Sequence, residues 1–204
     1  MKILGLTGSI GMGKTTAAAM LRRLGVPVHD ADATVHGLFA PGGVAVAAVD
    51  AAFPGVVQNG AVDRTRLGAI VFGDALALKR LEAIVHPLVR RAERQFLARY
   101  RRRRAPLVVL DVPLLFETGG ERRCDKIAVV SCAAFLQAQR VLARPGMTMA
   151  RLAAIRAKQT PDAEKRRRAD FVIPTGMGKP LALRRLKAAV RVMLGQSERG
   201  DWSA

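Results

Sequence analysis

Apolar residues fall along this chain in short runs set between longer stretches of helical pattern. Residues 3–7 (ILGLT), 26–29 (VPVH), 107–110 (LVVL) and 126–130 (KIAVV) are four such runs, and 171–173 (FVI) is a candidate fifth. Runs rich in Val, Ile and Leu, without strict alternation, mark strands covered on both faces. Helical stretches separate them, so the pattern predicts an α/β fold, a parallel sheet flanked by helices. Active residues are then expected at the C-terminal ends of the strands. Residues 16–24 hold good helix formers and no breaker. The gap from 30 to 106 is far longer than an ordinary crossover. It carries helical patterns at 66–72, 75–85 and 87–102, which predicts an inserted helical lobe. A second helical excursion spans 133–158, broken at Pro145-Gly146, and the last helix is expected at 180–194. From Gly195 onward the chain turns polar and is expected to fray, Trp202 included. No internal repeat is visible.

The first predicted strand runs straight into Gly8-Ser9-Ile10-Gly11-Met12-Gly13-Lys14-Thr15. This is the G-x-x-x-x-G-K-[ST] phosphate loop, in the strand–loop–helix setting that it requires. Glycines let successive backbone N–H groups point into one concavity, and the helix N-terminus adds partial positive charge. Lys14 can reach the β and γ phosphates, and the Thr15 hydroxyl can bind Mg²⁺. Gly8, Ser9, Ile10, Gly11, Met12, Gly13, Lys14, Thr15 and Thr16 are the candidate nucleotide contacts.

Composition narrows the field. The 204 residues fit one domain with inserted lobes. No apolar run is long enough to span a membrane, because Asp50 and Pro54 cut the stretch 44–57. The N-terminal apolar stretch is too short for a secretory signal. Cys124 and Cys132 lack metal-site or C-x-x-C spacing and read as reduced packing thiols of a cytoplasmic protein. The formal charge is +18, from 34 Lys plus Arg against 16 Asp plus Glu. Such a field gathers anions, either nucleic acid or anionic small molecules. The runs Arg101–Arg104 and Lys165–Arg168 read as solvated faces. No aromatic residues interleave with them, so no nucleic-acid platform is expected.

The loop alone admits GTPases, motor ATPases and small kinases. The guanine-reading N-K-x-D motif is absent, as is a D-x-x-G switch after the third strand. A compact sheet with a helical lobe and an Arg-bearing excursion suits a small-molecule kinase, whose work is positioning, charge neutralisation and exclusion of water. Its acceptor hydroxyl needs a nearby carboxylate. Asp30 and Asp32 follow the second strand; Asp32 is the expected base and Asp30 a supporting or capping residue. Asp111 ends the third strand, where an acid orients Mg²⁺; a helix cap or loop bond is the other reading. Arg140 and Arg144 stand four apart, and Arg156 and Gln159 three apart. They either line a lid closing over phosphates or are solvated. Two rival functions remain at this point, a nucleoside monophosphate kinase and a basic nucleic-acid-binding ATPase.

Several separated motifs, in order, resemble the dephospho-CoA kinase family. They are the loop with its Leu6-Thr7-Gly8 entry; Asp30-Ala31-Asp32; Asp63-Arg64 with Leu67-Gly68 and Val71-Phe72; and His86-Pro87. Asp111-Val112-Pro113-Leu114-Leu115-Phe116-Glu117 is the most distinctive after the loop. Gln139-Arg140, Arg144, Arg156 and Gln159 are similar to the family's lid, and Ala169-Asp170-Phe171-Val172-Ile173 to the strand near its adenine site. Ser9 and Met12 depart from the usual Gly and Ser, and Thr175 from a frequent Asn. The resemblance implies a P-loop kinase fold with ATP and dephospho-CoA as substrates and Mg²⁺ as cofactor. It implies phosphorylation of the ribose 3′-hydroxyl, the last step of CoA synthesis. Asp32 becomes the base, Lys14 and Arg140 join it in catalysis, and Arg140 and Arg144 belong to the lid. Arg64 and His86, with Asp30, become acceptor-site candidates. The corresponding layout is a core of about 1–33, 105–132 and 160–195, a CoA-binding lobe of about 34–104 and a lid of about 133–159.

Overall fold

The computed structural model describes residues 1–196, so Trp202 lies outside the described residues. The strands are β1 (Lys2–Thr7), β2 (Val28–Asp30), β3 (Val57–Gln58), β4 (Ala61–Val62), β5 (Leu107–Asp111), β6 (Lys126–Ser131) and β7 (Phe171–Pro174). The helices are α1 (Lys14–Arg23), α2 (Ala31–Phe39), α3 (Val46–Ala52), α4 (Arg64–Val71) and α5 (Ala75–Arg102). They continue with α6 (Ala134–Leu142), α7 (Met149–Ala157), α8 (Asp162–Arg168) and α9 (Lys179–Met193). The described residues form two compact units: 1–29 together with 100–196, and Asp30–Arg99.

The first unit is built on a five-stranded sheet of order β2-β5-β1-β6-β7. β1 pairs in parallel with β5 (Leu6 opposite Asp111) and with β6 (Thr7 opposite Val129), and β6 pairs in parallel with β7. All five expected strands are present. Every residue of β5 is buried, as a strand covered on both faces must be. The core gathers Leu4 and Leu6 of β1, Leu21 of α1, Val109 of β5, Val130 of β6 and Leu186 of α9. β1 is central, so the loop that follows it sits at the C-terminal edge of the sheet.

The second unit has its own core, including Phe39, Val49, Phe53, Val62, Leu67 and Val85. It differs from the expected layout in two ways. The patterns at 75–85 and 87–102 are one helix, α5, with Pro87 inside it. Pro87 lacks an N–H and frees the carbonyl one turn back, but it is exposed, so water can satisfy what it releases. Leu81, Ile84, Val85, Leu88 and Val89 meanwhile keep one apolar face on the core. The second difference is the antiparallel pair β3–β4, joined by Asn59 (φ 50°) and Gly60 (φ 75°). Both centres are left-handed, the type I′ geometry for which Asn-Gly is suited.

Candidate phosphate-loop site

The loop is anchored at its entry. Thr7 Oγ1 donates to Pro113 O (3.0 Å), and the Val112 amide donates to Leu6 O (3.0 Å). Inside the loop, the Met12 amide donates to Ser9 O (3.1 Å). Met12 is buried among the core residues, and its Sδ accepts from the Cys132 amide at 3.2 Å. The methionine at this position therefore fixes the loop to the end of β6 by packing. Gly13 caps α1 at φ 90°, a left-handed backbone that disfavours a side chain. Gly13 has no side chain of its own to cap α1, so the helix start keeps the backbone character of an anion site.

Lys14 Nζ lies 2.8 Å from Asp111 Oδ1, and Asp111 is 1% exposed. Each charge of this pair offsets part of the cost of removing the other from water. Thr15 and Thr16 are exposed at the start of α1. Thr15 and Asp111 offer oxygen donors, the type Mg²⁺ prefers. Among the described residues no group of three or more His, Cys, Asp or Glu gathers at one point. Two protein oxygens suit a metal that takes its remaining ligands from phosphates and water.

The α6–α7 region reaches this loop through side chains. Arg140 Nη2 donates to Thr175 O (2.8 Å), with Nη1 3.4 Å from Thr175 Oγ1. Thr175 Oγ1 in turn donates to Met12 O (2.6 Å). Gln159 Oε1 accepts from the Ile10 amide (3.1 Å). Gln137 Nε2 donates to Ile10 O (2.7 Å), while its Oε1 accepts from Arg156 Nε (3.0 Å) and Nη2 (2.5 Å). Arg140 and Arg144 do not share one uninterrupted helix as their spacing suggests. α6 ends at Leu142, and Arg144 lies exposed in the turn toward Pro145-Gly146.

Asp30, Asp32, Arg64 and His86 belong to the other unit. Asp30 ends β2 and caps α2, its Oδ1 accepting from the Ala33 amide at 2.9 Å. Asp32 is exposed in the first turn of α2. Arg64 opens α4 behind the Asp63 cap, and His86 is exposed on α5 beside Pro87.

One basic run is not the solvated face that its composition suggests. Lys165 is fully buried on α8, its Nζ 2.8 Å from Glu117 Oε1. Arg168 bonds Glu121 at 2.8 Å and lies 4.2 Å over the Phe116 ring. Arg166, Arg167 and the run Arg101–Arg104 are exposed as expected. Burial alone would raise the Glu117 carboxyl, but the Lys165 hydrogen bond, the Glu117 and Thr160 amides and the Lys165 charge outweigh it and hold it below its ordinary value. Burial pushes the Cys132 thiol up, against the opposing charge of Arg140. Neither cysteine is in a disulfide.

Three residues that bear on the site were not marked as such by the sequence. Gln137 shows no motif of its own, although it sits one turn before Val141 on the buried face of α6. Thr175 stands out in the sequence only as a departure at the adenine side. Lys165 is hidden inside a charge run.

The family model for dephospho-CoA kinase matches residues 2–178. A dephospho-CoA kinase of Paramagnetospirillum magneticum is 79% identical over 195 residues, covering 96% of this chain and 92% of that protein. One from Rhodospirillum rubrum is 64% identical, covering 91% and 89%. Among solved structures, a Thermus thermophilus protein superposes with a TM-score of 0.83 at 39% identity, covering 95% of this chain and 97% of that one. A dephospho-CoA kinase from Campylobacter jejuni, at 22% identity and TM-score 0.65 over 94% and 97%, shares the fold.

Proposed function

The chain belongs to the dephospho-CoA kinase family, and on that premise we propose how its own residues carry the reaction. It is an ATP-dependent kinase that transfers the γ-phosphate to the ribose 3′-hydroxyl of dephospho-CoA, giving CoA and ADP. The observation that carries the reading is the phosphate loop itself, with Gly13 left-handed at the start of α1 and Lys14 Nζ 2.8 Å from Asp111 Oδ1. Loop amides and the Lys14 ammonium hold the triphosphate and offset charge that develops on transfer. Asp32 accepts the proton of the ribose hydroxyl as its oxygen bonds to the γ-phosphorus and the bond to ADP breaks. Arg140 and Arg144 are the lid cations that face phosphate oxygens. Asp30, Arg64 and His86 serve the acceptor side.

Mg²⁺ is the proposed cofactor; Thr15 and Asp111 would hold it together with phosphate oxygens, and it would neutralise charge on the triphosphate. Among the described residues no helix is long and apolar enough to cross a membrane. Two cysteines outside any disulfide fit a reducing compartment, and we propose a cytoplasmic enzyme acting on two small anionic substrates, whose capture its +18 charge favours. The test is purified protein with ATP, Mg²⁺ and a panel of acceptors. ADP release is expected with dephospho-CoA and at background with nucleoside monophosphates; the reverse pattern would overturn the assignment.

A further inference from the structure

Ile10 is held at both of its backbone polar groups by side chains from outside the loop, its amide by Gln159 and its carbonyl by Gln137. Gln137 is 3% exposed, and both ends of its side-chain amide are engaged. The direction of that amide is not free. Arg156 has donors only, so it demands the Gln137 oxygen and leaves the NH₂ end for Ile10 O. A guanidinium spent on a neutral amide, in a site meant for phosphates, calls for a reason.

We infer that Gln137, with Arg156 behind it, is a positioning residue that aims the Gly11 amide into the phosphate cradle. The peptide joining Ile10 to Gly11 is planar and trans, so its C=O and N–H point in opposite directions. Fixing the Ile10 carbonyl toward α6 therefore directs the Gly11 N–H away from α6. Gly11 itself gives no such control. Its φ is 74°, and a glycine there lets the peptide plane turn at little cost. Gln137 supplies the restraint that the loop sequence omits, and Arg156 keeps Gln137 from rotating. The bond also ties α6 and α7 to the loop, so a lid built on those helices and the cradle order together.

The inference rests on the kinase reading for its substrate, but its test does not. Gln137→Glu keeps the shape and gives Arg156 an ion-pair partner, yet has no donor for Ile10 O at neutral pH. ATP binding measured by calorimetry is expected to weaken about tenfold or more, an effect of the size of a lost buried hydrogen bond plus a carboxylate facing a carbonyl. KM for ATP should rise in step while KM for dephospho-CoA stays within about twofold and the melting temperature does not fall. Arg156→Ala should weaken ATP binding about threefold or more, and Gln137→Ala with Arg156→Ala together should cost no more than Gln137→Ala alone, because one acts through the other. Wild-type ATP affinity in Gln137→Glu, equal losses for both substrates, or independent addition of the two alanine effects would overturn the inference. A wild-type protein that binds ATP but leaves dephospho-CoA untouched would instead sink the acceptor assignment, and the ATP titrations would still decide the role of Gln137.

Discussion

Lys165 and Glu117 form a 2.8 Å ion pair with the lysine side chain wholly removed from solvent. The same oxygen, Glu117 Oε1, also accepts from the amide of Thr160, next in sequence to Gln159, at 2.8 Å. The pair therefore fastens the start of α8, and with it Gln159, to the segment that follows β5. Removing the carboxylate leaves a buried ammonium without its partner. Glu117→Ala is expected to lose about 3–5 kcal/mol in urea unfolding. The Glu117 carboxyl is held below its ordinary value of 4.5, so its contribution is present above that pH and is lost as pH falls through the folded-state value. Unfolding followed below about pH 4.5 should show a shallower dependence on acid in Glu117→Gln than in the wild type.

Lys14→Ala should abolish turnover while leaving the fold in place. Loss of one preorganised charge partner of the transferring phosphate costs on the order of 100-fold or more in kcat. A coupled ADP-release assay reads the loss, and circular dichroism checks that the helices remain. Turnover at the wild-type rate would remove Lys14 from the chemistry.

Asp32→Asn separates binding from catalysis. The amide cannot take the hydroxyl proton, so kcat is expected to fall by about 10²–10⁴. KM for ATP should stay within about twofold, because Asp32 is assigned to the acceptor and not to the triphosphate. Retention of wild-type kcat would transfer the base role elsewhere, with Asp30 the next variant to measure.

Thr175→Val deletes the hydroxyl that donates to Met12 O at 2.6 Å and keeps the volume. One lost hydrogen bond of about 0.5–1.5 kcal/mol predicts a rise of roughly twofold to tenfold in the ATP dissociation constant. Gly13→Ala should be worse. Its new methyl would sit 3.2 Å from Thr175 Cβ at φ 90°, so strain and crowding act together. Calorimetric ATP titration of both variants ranks them; equal affinities would show that the Thr175 contact does not shape the loop.

Much of this was legible in the residues, and for identifiable reasons. β1, the loop and α1 follow from a local apolar run, glycine spacing and helix formers, all of which act within a few residues. The parallel sheet followed from Val-, Ile- and Leu-rich runs separated by helices. Pro87 misled because proline usually ends a helix, whereas here the apolar face on both sides of it stays packed. The β3–β4 hairpin had a signal, Asn59-Gly60 between Val57-Gln58 and Ala61-Val62, but two-residue strands carry no periodicity to draw attention to it. Lys165 was hidden because burial of one lysine among four cations is decided by Glu117, far away in sequence. Gln137 and Thr175 were opaque for the same reason: each matters through a contact with the loop more than 120 residues earlier. Asp30 is the opposite case, since an Asx cap closes over three residues and is visible in the sequence.

The position of β1 in the middle of its sheet has a consequence for biosynthesis. Its neighbours, β5 and β6, come about a hundred residues later in the chain, with Leu4 opposite both Val109 and Lys126. On the ribosome, this oily N-terminal segment emerges long before anything exists for it to zip against. Residues 30–99, which hold a small core of their own, emerge before β5 and β6, so the sheet of the nucleotide-handling half can close only late in synthesis. Its opening strand is then the stretch with most need of shelter while translation proceeds.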